Sequence, residues 1–141
     1  MDNQLNINQL DIQKTDSNRY TGTGVFVIMD DEESMRETIG FMVESFGYTP
    51  LCFENGKETI DYFSQNKHLV AAMILDLNIS GGIGGKEAIS EIRNICIKTP
   101  VYAMSGYSDD PIMSNPSFYG FTGSISKPFL MSQLGELLDQ N

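Results

Sequence analysis

Three short apolar runs in this chain, and one further strand-like segment, close on polar residues that the runs themselves do not explain. Val25-Phe26-Val27-Ile28-Met29 ends in Asp30-Asp31, Ala71-Ala72-Met73-Ile74-Leu75 in Asp76, Val101-Tyr102-Ala103-Met104 in Ser105, and the segment Phe121 to Ser126 in Lys127. Uninterrupted apolar runs of this length, bounded by glycine, serine and proline, read as strands covered on both faces. Between them the apolar spacing turns helical. Met35, Ile39, Met42, Val43 and Phe46 predict a helix over 33–46 that Gly47 stops. Ile60 and Phe63 place a helix over 57–66, following an Asn55-Gly56 turn, and Ala88, Ile89 and Ile92 one over 86–94. Leu130, Leu134, Leu137 and Leu138 form the apolar stripe of a last helix. Tyr48 to Phe53 supplies a further strand, second in chain order. Asp110-Pro111 suits a helix start, but Pro116 follows so soon that this helix is expected to be short or irregular.

Strand and helix therefore alternate five times. Right-handed crossovers deposit successive helices on either side of a parallel sheet, which predicts an α/β fold, a flavodoxin-like (βα)5 doubly wound parallel sheet with strand order 2-1-3-4-5. The 141 residues are enough for one core and too few for two. Residues 1–22, rich in Asn, Gln, Asp, Ser and Thr, read as a polar leader or interdomain linker, and residues 23–141 as the domain.

Composition narrows the function classes. A formal charge of -10 repels nucleic acid and anionic membrane. No apolar stretch approaches the roughly twenty residues of a membrane span, and no signal-peptide core opens the chain. Cys52 and Cys96 have neither CxxC spacing nor a histidine pattern around them, so they read as two buried free thiols in a reducing cytoplasm. His68, the single histidine, reads as a surface residue.

The strand ends carry the chemistry. In a parallel sheet they share one edge, which gathers Asp30, Asp31, Asp76, Ser105 and Lys127. Three carboxylates at low dielectric need a cation to stay ionised, and a hard, oxygen-seeking ion such as Mg²⁺ fits them. Asp76 is then the nucleophile for a phosphoryl group, with Lys127 and the Ser105 hydroxyl facing its oxygens. Each residue also has a plain structural role open to it. Asp30 to Glu33 can serve as a helix cap and dipole-compensating first turn, Asp76 and Ser105-Gly106 as turn residues, and Lys127-Pro128 as a solvated loop. Their joint occurrence, one group per strand end, favours a site.

Over about residues 24 to 140, VFVIMDDEESMRETI, AMILDLNISGGIGG, VYAMSGYSDD and GSISKPF together resemble the response-regulator receiver domain of two-component signalling. The resemblance implies that Asp76 accepts a phosphoryl group from a phosphohistidine donor in a histidine kinase or histidine phosphotransfer domain. It makes Asp31 a direct Mg²⁺ ligand, has Asp30 assist through water, and takes a backbone carbonyl from Asn78. It makes Ser105 the switch hydroxyl, pairs Lys127 with the phosphoryl group, and implies a cis Lys127-Pro128 bond. The only chemistry is then self-directed phosphotransfer and autodephosphorylation, in a cytoplasmic, monomeric or weakly dimeric domain without direct membrane or nucleic-acid contact. SGGIGGKEAI and SGYSDDP look most like receivers at the C-terminus of hybrid sensor histidine kinases, whose parent chain is a kinase.

Two departures stand out. Ser80 occupies a loop position where many receivers have proline. Ser124 stands three residues before Lys127, where the family commonly has a Tyr or Phe that changes rotamer on phosphorylation, so a muted or rerouted response is expected. Competing readings fit less well. A phosphatase of the haloacid-dehalogenase type wants a second Asp where Asn78 stands. A P-loop fails at Ser80 and at Glu87. A pseudo-receiver acting as a phosphorylation-independent interaction module is the remaining alternative.

Overall fold

The computed structural model describes residues 22–140. Its strands are β1 (Val25–Met29), β2 (Thr49–Phe53), β3 (Val70–Asp76), β4 (Val101–Ser105) and β5 (Gly123–Ser126). They form one parallel sheet in the order β2-β1-β3-β4-β5. The connections hold helices α1 (Glu33–Ser45), α2 (Gly56–Asn66), α3 (Gly85–Ile95), α4 (Pro111–Ser114) and α5 (Met131–Asp139). This is the flavodoxin-like doubly wound fold expected from the sequence. The leader expected over 1–22 lies outside the described residues except for Gly22, whose N–H donates to the Phe46 carbonyl at 2.9 Å.

Period-two alternation divides each central strand between two cores. Val27, Met29, Met73, Leu75, Val101 and Ala103 pack with Phe63, Ala88, Ile89, Ile92 and Ile112, so α2, α3 and α4 cover one face. Phe26, Ile28, Ala72, Ile74, Tyr102 and Met104 pack with Ile39, Met42, Val43 and Leu134, so α1 and α5 cover the other. Complete burial of side chains such as Phe26, Phe63 and Ile74 contributes about 1.5–3 kcal/mol each.

Local chemistry sets the helix starts that matter for the site. Asn55 Oδ1 accepts from the Glu58 N–H at 3.0 Å and caps α2. The Glu87 carboxylate reaches back to the Gly84 N–H at 3.0 Å and closes the first turn of α3. A side chain at Gly84 would put its Cβ 2.8 Å from the Leu77 carbonyl oxygen, so α3 can start this close to the end of β3 only on glycine. Asp110 Oδ1 caps α4 through the Ile112 N–H at 3.0 Å, and Pro111 is its first residue. As the early Pro116 predicts, α4 is a single turn. The segment after it is held by Arg93, which donates to the Gly120 carbonyl at 2.7 Å and also to the Thr99 carbonyl ahead of β4 at 2.8 Å.

Two expectations fail. Cys52 is exposed and Cys96 only half-buried, where both were expected in the core. The reason for Cys52 is that β2 is an edge strand bonded to β1 alone, with one side of its ladder open. Cys96 lies just past α3, where hydrogen bonds from the Thr99 hydroxyl and the Lys98 and Thr99 N–H groups bring its thiol down to about 7. The last strand also starts later than Phe121, because the Phe121 N–H turns back to the Pro116 carbonyl and ladder pairing begins at Gly123. Among the described residues no helix is long and apolar enough to cross a membrane.

Candidate functional site

The sheet register brings the predicted residues to one edge. Asp76 pairs with Met104 and Ser105 with Ser126, so the carboxyl ends of β3, β4 and β5 are level. Backbone bonds fix the residues just beyond: Asp30 N–H to the Phe53 carbonyl at 3.1 Å, Leu77 N–H to Met104 at 2.9 Å, and Lys127 N–H to Ser105 at 2.9 Å. Here α1 leaves toward one face and α3 toward the other, which opens a crevice between their starts. The crevice is a cleft of about 560 Å³ whose walls include Asp31, Asp76, Asn78 and Lys127, with Glu32 and Tyr107 beside them.

Asp30, Asp31 and Asp76 each offer an oxygen, and these lie within 4.8 Å of one another. Asp30 is 0 % and Asp76 4 % exposed. Among the described residues one ammonium, that of Lys127, faces the three carboxylates. Lys127 Nζ stands 2.9 Å from Asp30 Oδ2 and 3.1 Å from Asp76 Oδ2. Burial raises the proton affinity of Asp76; the bond and charge of Lys127 offset this in part, and the charge of Asp30 adds to it. Burial alone would favour neutral Lys127, but its bonds to Asp30 and Asp76 outweigh it and hold the ammonium charged above the usual lysine range. The N–H and hydroxyl bonds of Ser80 hold Asp31 below the usual range despite some burial.

This donor set fits a hard divalent cation. One ammonium leaves the cluster short of positive charge, and all three side chains supply the oxygen donors that such an ion takes. The Lys127-Pro128 bond is cis, as the resemblance implies. Around the carboxylates the hydrogen bonds are directional. Asp30 Oδ1 accepts from the Glu32 N–H at 2.9 Å, and Asp76 Oδ1 from the Asn78 N–H at 3.2 Å. The fully buried Ser105 Oγ accepts from Asn78 Nδ2 at 3.2 Å and from the Tyr107 N–H at 2.9 Å. With both lone pairs engaged, its proton is the group left to donate.

Three features escaped the sequence reading. Arg36 Nη1 donates to the Asp30 carbonyl at 3.0 Å and ties α1 to the acidic turn. Lys86 Nζ lies 2.7 Å from Asp110 Oδ2, linking the start of α3 to the cap of α4. Ser80 donates both its N–H, at 3.0 Å, and its hydroxyl, at 2.9 Å, to Asp31 Oδ2. The signal for Ser80 was present in its replacement of an expected proline, since a proline has neither donor. Ser124 lies outside the cleft, and its hydroxyl donates to the Met113 carbonyl of α4 at 2.7 Å.

Comparison with known proteins agrees with this geometry. The family model described as response regulator receiver domain matches residues 26–139. The transcriptional regulatory protein CrdR of Helicobacter pylori is 25% identical over 108 residues, covering 76% of this chain and 49% of the relative. A putative NtrX-like response regulator of Rickettsia typhi is 30% identical over 113 residues, 79% of this chain and 23% of the relative. Ethylene receptor 2 of Oryza sativa subsp. japonica is 24% identical over 114 residues, 79% of this chain and 15% of the relative. The chain thus spans about half, or less, of the length of these curated relatives. Among solved structures, a response regulator receiver domain protein from Clostridium thermocellum superposes with a TM-score of 0.75 at 20% identity, covering 83% of this chain and 92% of that one. The receiver domain of a sensor histidine kinase from Pseudomonas aeruginosa, solved with magnesium in its active site cleft, superposes with a TM-score of 0.73 at 19% identity, covering 84% and 97%. A family match over most of the chain, the matching fold and the acidic crevice together place this chain in the response-regulator receiver family of two-component signalling.

Proposed function

We propose that Asp76 is the phosphoacceptor of this receiver and takes its phosphoryl group from a phosphohistidine on a histidine kinase or histidine phosphotransfer domain. The observation that carries the reading is the placement of Asp76, nearly buried at the end of β3, with Lys127 Nζ 3.1 Å from one of its oxygens and a cleft in front of it. In the transfer an Asp76 oxygen forms the new O–P bond as the donor's N–P bond breaks, and the N–P electron pair stays with the donor imidazole. Lys127 then follows the charge onto the phosphoryl oxygens, and the Ser105 proton is available to the same oxygens. Asp31, Asp76 and the Asn78 carbonyl would hold Mg²⁺, with Asp30 assisting, and the ion when bound would supply charge neutralisation at that group. The magnesium in the cleft of the Pseudomonas receiver supports this assignment for the related fold.

Ser124 suggests how the signal leaves the site. With no aromatic ring at this position to change rotamer, and its hydroxyl bonded to the Met113 carbonyl, the response of β5 and α4 is muted or takes another route. We infer further that residues 1–22 are a polar leader or interdomain linker and that the domain is a cytoplasmic relay module of the hybrid-kinase kind, monomeric or weakly dimeric; the likeness to the sensor-kinase receiver supports this reading. The donor class is tested with a panel of ³²P-labelled histidine phosphotransfer proteins. Label should pass to the parent and not to Asp76→Asn; no transfer from any donor would favour a phosphorylation-independent interaction module.

A further inference from the structure

Ser80 and Asp31 are 49 positions apart and joined by two hydrogen bonds to a single atom. The Ser80 N–H and hydroxyl both end on Asp31 Oδ2, at 3.0 and 2.9 Å, so the other carboxylate oxygen is not engaged by Ser80. A carboxylate fixed through one oxygen from outside a cluster keeps the other available to a cation in a set orientation, which is how outer-shell hydrogen bonds support metal ligands. The chain after Ser80 is shaped to allow this approach. Gly81 and Gly82 have φ values of 72° and 116°, in the region that side chains rarely adopt. Asp31 is otherwise a half-exposed residue in the short turn between β1 and α1, so without this tether its carboxylate has rotamer freedom to lose on binding an ion.

We propose that Ser80 is a positioning residue for the divalent cation of the cleft, holding Asp31 through Oδ2 and coupling metal occupancy to the order of the β3–α3 loop. This rests on the reading of the acidic cluster as a Mg²⁺ site. Reciprocity then follows from linkage: if the loop organises Asp31 for the ion, the ion strengthens the Asp31–Ser80 contact and quiets Gly81 and Gly82. Ser80→Ala removes the hydroxyl and keeps the N–H. Ser80→Thr keeps both donors.

The test is Mg²⁺ titration of the protein by isothermal calorimetry and by amide chemical shifts, with fold checked by circular dichroism. Ser80→Ala should bind Mg²⁺ about ten-fold more weakly, Ser80→Thr should restore the affinity, and the amides of residues 80–82 should shift and sharpen on titration of the parent. If the parent binds Mg²⁺ and Ser80→Ala binds it equally well, the Ser80 role is overturned while the metal site stands. If the parent binds no Mg²⁺, the reading of the cluster and the Ser80 role fall together.

Discussion

The ammonium of Lys127 lies 3.1 Å from Asp76 Oδ2, and the same nitrogen is 2.9 Å from Asp30 Oδ2. One cation thus serves two nearly inaccessible carboxylates at the ends of β1 and β3. Lys127→Met leaves both unpaired, and a destabilisation of about 2–3 kcal/mol is expected in chelator. Added Mg²⁺ should return part of that loss, because it replaces the missing charge. Urea unfolding of parent and variant, with and without Mg²⁺, measures both effects.

Asp76 gives a pH signature of opposite sign to an ordinary ion-paired aspartate. Burial raises its proton affinity in the folded state. Its contribution to stability is therefore fully present below the unfolded value of about 3.9 and is lost as pH rises through the higher folded value. Asp76→Asn removes this penalty. In chelator its melting temperature should exceed the parent's by a few degrees near neutral pH, on the order of 3 °C, and the difference should shrink as pH falls toward 4. Thermal melts across that range check the slope.

Ser124 and Met113 make a contact that can be separated from the cleft. Ser124→Ala deletes the donor to the Met113 carbonyl and should cost about 1 kcal/mol. The loss should show as faster amide exchange in α4 and the end of β5, with Mg²⁺ affinity unchanged. Exchange measured by mass spectrometry resolves these segments.

Much of this arrangement was legible before the fold was seen. Apolar runs closing on Asp31, Asp76 and Ser105, and the strand-like segment before Lys127, located the strand ends, and parallel topology alone then brought those residues to one edge. Side-chain partnerships across the edge were not legible, because they depend on loop paths. Ser80 reaches Asp31 from a loop whose next two residues, Gly81 and Gly82, have positive φ. The burial of Cys52 was misjudged for a different reason: the apolar character of a strand does not say whether it is central or at the edge. Lys86 and Asp110 belong to segments with no pattern in common, so their ion pair had no sequence signal.

That pair also makes a prediction. Asp110 caps α4 and receives Lys86, and is itself nearly buried, whereas Lys86 is 41% exposed. Asp110→Ala loses both the cap and the ion pair and should cost about 1–2 kcal/mol. Lys86→Met loses only the partly solvated ion pair and should cost about 0.5 kcal/mol. Chemical denaturation of the two variants distinguishes the cap from the pair.

The central claim is that Asp76 carries the phosphoryl group, and intact-mass spectrometry after incubation with acetyl phosphate and Mg²⁺ tests it most directly. The account predicts addition of one phosphoryl group to the parent, and none to Asp76→Asn or to the parent in chelator. Undiminished addition to Asp76→Asn, or no addition to the parent under any condition, would contradict it.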